Sequence, residues 1–221
     1  IFKDQQPAEF DILSVIPSNA VYFRLIGITD QDIFIQQLKN IKTKRIKEQL
    51  LDIEQQHGID LMGSFHDMYS GISGDVILQE GTGIYEQYLA VGVKSASIAE
   101  ELMFEWIEKV NNDNASNMIS EMDIDSQNKI KIFKEPFQNL YKLFFGKMYN
   151  EGSYPYIGFT GNYMIFSKKR SALRDFIHKC KLGQTIENDN YFNELKNNIS
   201  SKSNYFVYLN PSRYFDEILA S

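Results

Sequence analysis

Tyr156-Ile157-Gly158-Phe159-Thr160-Gly161-Asn162-Tyr163-Met164-Ile165-Phe166 decides the class of fold. Two runs rich in aromatic and apolar residues flank Gly161-Asn162, the spacing of a two-residue hairpin whose turn needs positive φ. A chain that commits to so tight a hairpin builds antiparallel sheet. The neighbouring segments repeat the pattern. Asp75-Val76-Ile77-Leu78 follows the glycine-punctuated stretch Gly71-Ile72-Ser73-Gly74, and Gly81-Thr82-Gly83 separates it from Tyr85 to Val93, which predicts a second hairpin. Met118 to Met122 and Ile130 to Phe133, joined by the polar stretch Asp123 to Asn128, predict a third. Val21 to Ile26, entered from Pro17-Ser18-Asn19, and Tyr205 to Leu209 read as further strands.

Helical spacing fills the intervals. Thr29 with Asp32 resembles a capping box ahead of Ile33, Leu38 and Ile41. A second amphipathic segment carries Ile46, Leu50, Leu51 and Ile53 and stops at Gly58, a left-handed cap. Its polar face, Lys44, Arg45, Lys47, Glu48, Asp52 and Glu54, reads as solvated. Ser97 and Glu100 form a capping box for a helix to about Val110, with Leu102, Met103, Trp106 and Val110 on one face. Phe137 to Tyr149 fits a short helix or a buried strand, and the helix is the preferred reading. Ser171 to Cys180, Tyr191 to Ile199 and Pro211 to Leu219 complete the set. The fold class is α+β, a mainly antiparallel sheet built from hairpins with helices packed on one side.

A chain of 221 residues with 43% hydrophobic content forms one domain over 1–221. At this size folding buries roughly 70% of the unfolded surface, so no metal or disulfide staple is needed. Residues 1–15, which open at Ile1 without an initiator Met, read as a linker. Ser18-Asn19-Ala20-Val21-Tyr22-Phe23 is echoed by Ser203-Asn204-Tyr205-Phe206-Val207-Tyr208. That echo marks 203–221 as a candidate start of a second repeat and the chain as a candidate first module of a tandem pair. The net charge of -6 opposes attraction to phosphate polymers, so no nucleic acid is expected as a partner. No stretch approaches the roughly 18 apolar residues of a membrane span.

The residues that could carry chemistry read more simply as structure. His57, His66 and His178 have no ligand spacing, and the calcium-loop start at Asp123 meets Asn128 and Lys134 where Gly and Glu are required. Metal and cofactor are therefore expected as none. Ser64 lacks the second Gly of a nucleophile elbow, and Gly81-Thr82-Gly83 lacks the rest of a phosphate loop. Cys180 lies between Lys179 and Lys181, which could lower a thiol pKa, yet it reads as a structural cysteine. No catalytic residue is assigned. Lys168-Lys169-Arg170 with Arg174, Lys179 and Lys181 is the dense positive patch. The aromatic ribbon beside it, Tyr154, Tyr156, Phe159 and Tyr163, could stack bases or sugars. Tyr154, Tyr156 and Tyr163 are the candidate ligand surface, against the plain alternative of cross-strand aromatic pairing.

Four groups of residues carry a family resemblance: Ile16 to Phe23, Gly58-Ile59-Asp60, Ser73-Gly74-Asp75-Val76, and the closing block Tyr154 to Asn210. In the closing block Gly158 to Ser167 is followed by Ala172-Leu173, then Asn188 to Phe192, then Ser203 to Asn210. Together they resemble a bacterial envelope-protein family catalogued only as a domain of unknown function, number 3352. The resemblance implies a larger protein with a signal or membrane anchor and an extracytoplasmic globular part in the periplasm or cell envelope of a Gram-negative cell. It brings no catalytic residue.

Three functional classes stay open. The first is a non-enzymatic interaction or architectural module of an anchored envelope protein, with a protein or envelope component as partner and membrane contact only through an anchor outside this chain. The second is a small-molecule or glycan binder using the aromatic hairpin. The third is a carboxylate-based enzyme whose groups converge only in the fold.

Overall fold

The structure is a computed structural model and describes residue 2, residues 4–149 and residues 152–214. Ten strands, eight α-helices and three short 3-10 helices make up these residues. β1 (Ala8–Glu9) and β2 (Ala20–Gly27) precede α1 (Gln31–Ile41), α2 (Lys44–His57) and α3 (Leu61–Met68). β3 (Tyr69–Gly81) and β4 (Ile84–Val93) lead to α4 (Ala96–Asn111), and β5 (Ile119–Asp123) and β6 (Lys129–Lys134) to α5 (Leu140–Phe145). β7 (Tyr156–Thr160) and β8 (Tyr163–Ser167) are followed by α6 (Arg170–Lys181) and α7 (Asn190–Lys196). β9 (Lys202–Ser203), β10 (Tyr205–Leu209) and α8 (Pro211–Tyr214) close the described chain; 215–219 of the expected last helix lie outside the described residues.

Eight strands form one antiparallel sheet in the order β10-β2-β3-β4-β8-β7-β6-β5, and β1 pairs with β9 in a small second sheet. The α+β antiparallel architecture is the expected one. All three expected hairpins are present, and in the deciding one Thr160 pairs with Tyr163 across a turn in which Gly161 takes φ +52°.

Helices cover both faces of the sheet rather than one, because the strands are apolar on both sides. Along β8, Met164 and Phe166 face the core shared with α1 to α5, while Tyr163 and Ile165 face the core shared with α6 and α7. The first core is built on Phe65, whose ring stacks on Phe144 with centroids 4.4 Å apart and on Tyr69 at 4.9 Å. The second holds Phe23, Phe176, Ile177 and Phe192.

Several local expectations are corrected. Residues 5–15 are not a linker. The Gln5 side chain accepts from the Thr29 and Asp30 amides, Ala8–Glu9 forms β1, and Ile12 is fully buried. Asp30, not Thr29, caps α1 by accepting from the Ile33 amide at 2.9 Å. The residue in front of α4 is Ser95, whose Oγ lies 3.5 Å from the Ile98 amide, and Glu100 instead pairs with Lys131. The Gly71 to Gly74 stretch is not a break before a strand but the interior of β3. Gly71 takes φ +98°, and a Cβ on it would sit 2.2 Å from the Ile28 carbonyl oxygen. The stretch around Ser64, unassigned from sequence, is α3, capped by Asp60 on the Gly63 amide. The closing strand, read as the candidate start of a second copy, is the outermost strand of this unit's own sheet.

Candidate functional site

The chemistry of the molecule concentrates where β2 and β3 run side by side. Register places Arg24 directly opposite Asp75. The Arg24 Nε–H donates to Asp75 Oδ1 at 2.7 Å, and its Nη2 donates to the Met148 carbonyl at 3.2 Å. Tyr149 lies under the guanidinium, 5.4 Å from ring centre to Cζ, and donates to Ser73 Oγ at 2.6 Å. The Tyr69 hydroxyl lies 3.0 Å from the same Oγ.

Five polar side chains thus meet on the α1–α5 face of the sheet, and Asp75 is only 2% exposed. Burial pushes the Asp75 carboxyl up, with Arg24 pulling it back. Burial opposes the Arg24 charge, yet the hydrogen bond and charge of Asp75 outweigh it and hold the guanidinium more firmly protonated. Burial likewise raises Tyr69 and Tyr149. Asp75 Oδ2 has no hydrogen-bond partner among the described residues. The cluster can hold a charge pair and fix strand register. Neither the cavity that reaches Tyr149 nor the groove beside Phe192 is lined by Asp75 or Ser73, so neither brings a substrate to the carboxylate.

The aromatic ribbon is not a stacking surface. Tyr154 is buried in the first core, edge-on to Tyr141 at 5.1 Å. Tyr163 is buried in the second and donates its hydroxyl to Asp11. Tyr154 lies ahead of β7, and within the hairpin alternation sends Phe159 to the first core and Tyr156 and Tyr163 to the second, which a run read as one ribbon conceals. Tyr156 alone of the three is half-exposed, in a shallow basin with Lys168, Lys169 and Arg170. Much of the positive patch is already neutralised, by Lys169 with Glu86, Lys179 with Glu80 at 2.6 Å, and Arg174 with Asp175 at 2.7 Å.

Cys180 donates to the Val15 carbonyl at 3.0 Å, and burial pushes its thiol up to about 12, away from a reactive thiolate. His66 pairs with Asp32 at 2.8 Å, and the His57 ring lies 6.1 Å from Phe137. Among the described residues no three His, Cys, Asp or Glu gather as metal ligands. Asp125 folds the β5–β6 turn instead. It accepts from the Gln127 and Asn128 amides, and those hydrogen bonds hold its carboxyl below the usual range.

One edge of the sheet is unlike the other. β5 carries Glu121 and Asp123, the charges that usually discourage pairing with another chain. β10, Tyr205-Phe206-Val207-Tyr208-Leu209, carries no charge and no proline. Its inner side is anchored: Tyr208 stacks on Phe23 at 4.8 Å and meets Phe192 at 5.4 Å. On the other face Tyr205, Val207 and Leu209 are 49%, 45% and 48% exposed. The Gly27 amide donates to the Asn204 carbonyl and the Asn210 amide to the Val21 carbonyl, so the even-numbered positions bond to β2. By the alternation of an antiparallel ladder the N–H and C=O of Val207 and Leu209 point away from the sheet. Those of Tyr205 are met by the Ser203 hydroxyl.

No protein-family model, curated protein or solved structure matches this chain.

Proposed function

We propose that this chain is a non-enzymatic architectural module that joins a second copy of itself edge to edge through β10, within an anchored bacterial envelope protein. The observation that carries the reading is the uncharged outer edge of β10 with its open apolar face. Such an edge is a template for another strand, and natural sheets ordinarily blunt it. The strand is also complementary to itself. Antiparallel pairing about a two-fold axis through Val207 sets Tyr205 against Leu209 on the open face and Phe206 against Tyr208 on the other, with no like charges opposed. The family resemblance supports the envelope setting and an anchor outside this chain.

Sedimentation equilibrium tests the reading. The parent chain is expected to show a monomer–dimer equilibrium. Val207→Lys is expected to sediment as a monomer with an unchanged circular dichroism spectrum, and Glu121→Lys at the opposite edge is expected to dimerise like the parent. A parent chain that is monomeric at every concentration, or a Val207→Lys variant that dimerises equally well, contradicts the proposal.

A further inference from the structure

We infer that the cavity between the first turn of α2 and the end of α5 binds a phosphorylated small molecule, a site separate from the β10 edge and independent of its role. The cavity holds about 460 Å3, within the range of ligand pockets. Arg45, Lys142 and Lys147 line it, and among the described residues no carboxylate does. On a chain of net charge -6 the three cations come together from separate elements, α2 and the α5 end, and differ from the basic run beside Tyr156, where Lys169 is paired with Glu86. Arg45 and Lys147 have no carboxylate partner among the described residues. The Lys142 ammonium lies over the Tyr141 ring at 5.6 Å, and among the described residues no carboxylate pairs with it.

Three cations from separate parts of the chain suit a dianion better than a carboxylate, and a guanidinium beside ammonium groups is the usual set for phosphate. The Thr43 hydroxyl and the side-chain amides of Gln49 and Asn139 add neutral hydrogen-bonding groups. Ile46 and the Tyr149 ring supply an apolar wall, which fits the organic body of a phosphate ester rather than the free ion. Glu48 and Asp52 border a neighbouring depression that shares Arg45, Gln49 and Asn139. Their charges favour seating an anion at the Lys142 and Lys147 end.

Amide correlation spectra of the whole chain, titrated at constant ionic strength with inorganic phosphate, phenyl phosphate or chloride, test the site. Expected are saturable shifts confined to residues 43–49 and 139–149, tighter binding of phenyl phosphate than of phosphate, and none with chloride. Arg45→Gln with Lys147→Gln is expected to weaken binding at least about tenfold, while Lys47→Gln on the same helix has no effect. Shifts unchanged in the double variant, shifts spread without saturation over the surface lysines, or phenyl phosphate binding no tighter than phosphate would overturn the inference. Vesicles containing phosphatidic acid form the last arm. If they displace phenyl phosphate the phosphate belongs to a lipid and the small-molecule assignment fails; if they leave it bound, the assignment stands.

Discussion

Lys42 is 5% exposed just beyond α1, with its ammonium nitrogen 2.8 Å from the Met62 sulfur. Burial, with the nearby charge of Lys39, lowers its pKa from 10.5 to about 7. Between those values the unfolded chain holds a proton that the folded chain lacks, so stability rises with pH across the window and is penalised below it. Lys42→Met is expected to be more stable than the parent below pH 7 by about 3 to 5 kcal/mol, with the gap closing towards pH 10. Urea denaturation at a series of pH values checks this, and a gap that does not change with pH would refute it. The buried pair behaves differently. Arg24→Met leaves Asp75 charged and unpartnered and is expected to cost about 3 to 5 kcal/mol, whereas Arg24→Met with Asp75→Asn costs less than Arg24→Met alone. A double-mutant cycle by urea denaturation measures the coupling, and additive costs would mean that the pair contributes nothing specific.

At the scale of elements, β3 shows why glycine misleads a sequence reading. A Cβ on Gly74 would sit 2.7 Å from the Arg24 carbonyl oxygen and 2.6 Å from a Leu25 methyl. The small residue allows the close approach of β2 that sets Arg24 opposite Asp75, and it does not mark a turn. Gly74→Ala is expected to destabilise the fold by about 1 to 3 kcal/mol in urea denaturation, and a neutral result would contradict this account of the strand pair. Elements whose apolar spacing is local were legible: the Gly161-Asn162 hairpin, α2 with its Gly58 cap, and α6 with Leu173, Phe176 and Ile177 buried. α3, only eight residues long, was not. The Arg24–Asp75 pair spans 51 positions and exists only through strand register, which no local period encodes. Arg45 reads as a solvated charge until α5 is placed beside it, and Lys142 and Lys147 are hidden in an aromatic run. β10 was legible as a strand but not as an edge, because edges are a property of sheet order.

For the whole molecule, cores on both faces leave the long sheet little exposed except at its two ends. One end is guarded by charge, and the other presents backbone groups and three large apolar side chains to solvent. Joining two copies there would continue the sheet through the pair and cover both apolar stripes. Among the described residues no helix is long and apolar enough to cross a membrane. The most direct test is amide hydrogen exchange at Val207 and Leu209, whose N–H groups face outward. In the paired state both are expected to exchange as slowly as Phe206 and Tyr208, which bond to β2, and to become fast on dilution or in Val207→Lys. Fast exchange at Val207 and Leu209 in concentrated parent protein, beside protected Phe206 and Tyr208, would show an edge that stays open and would contradict the account.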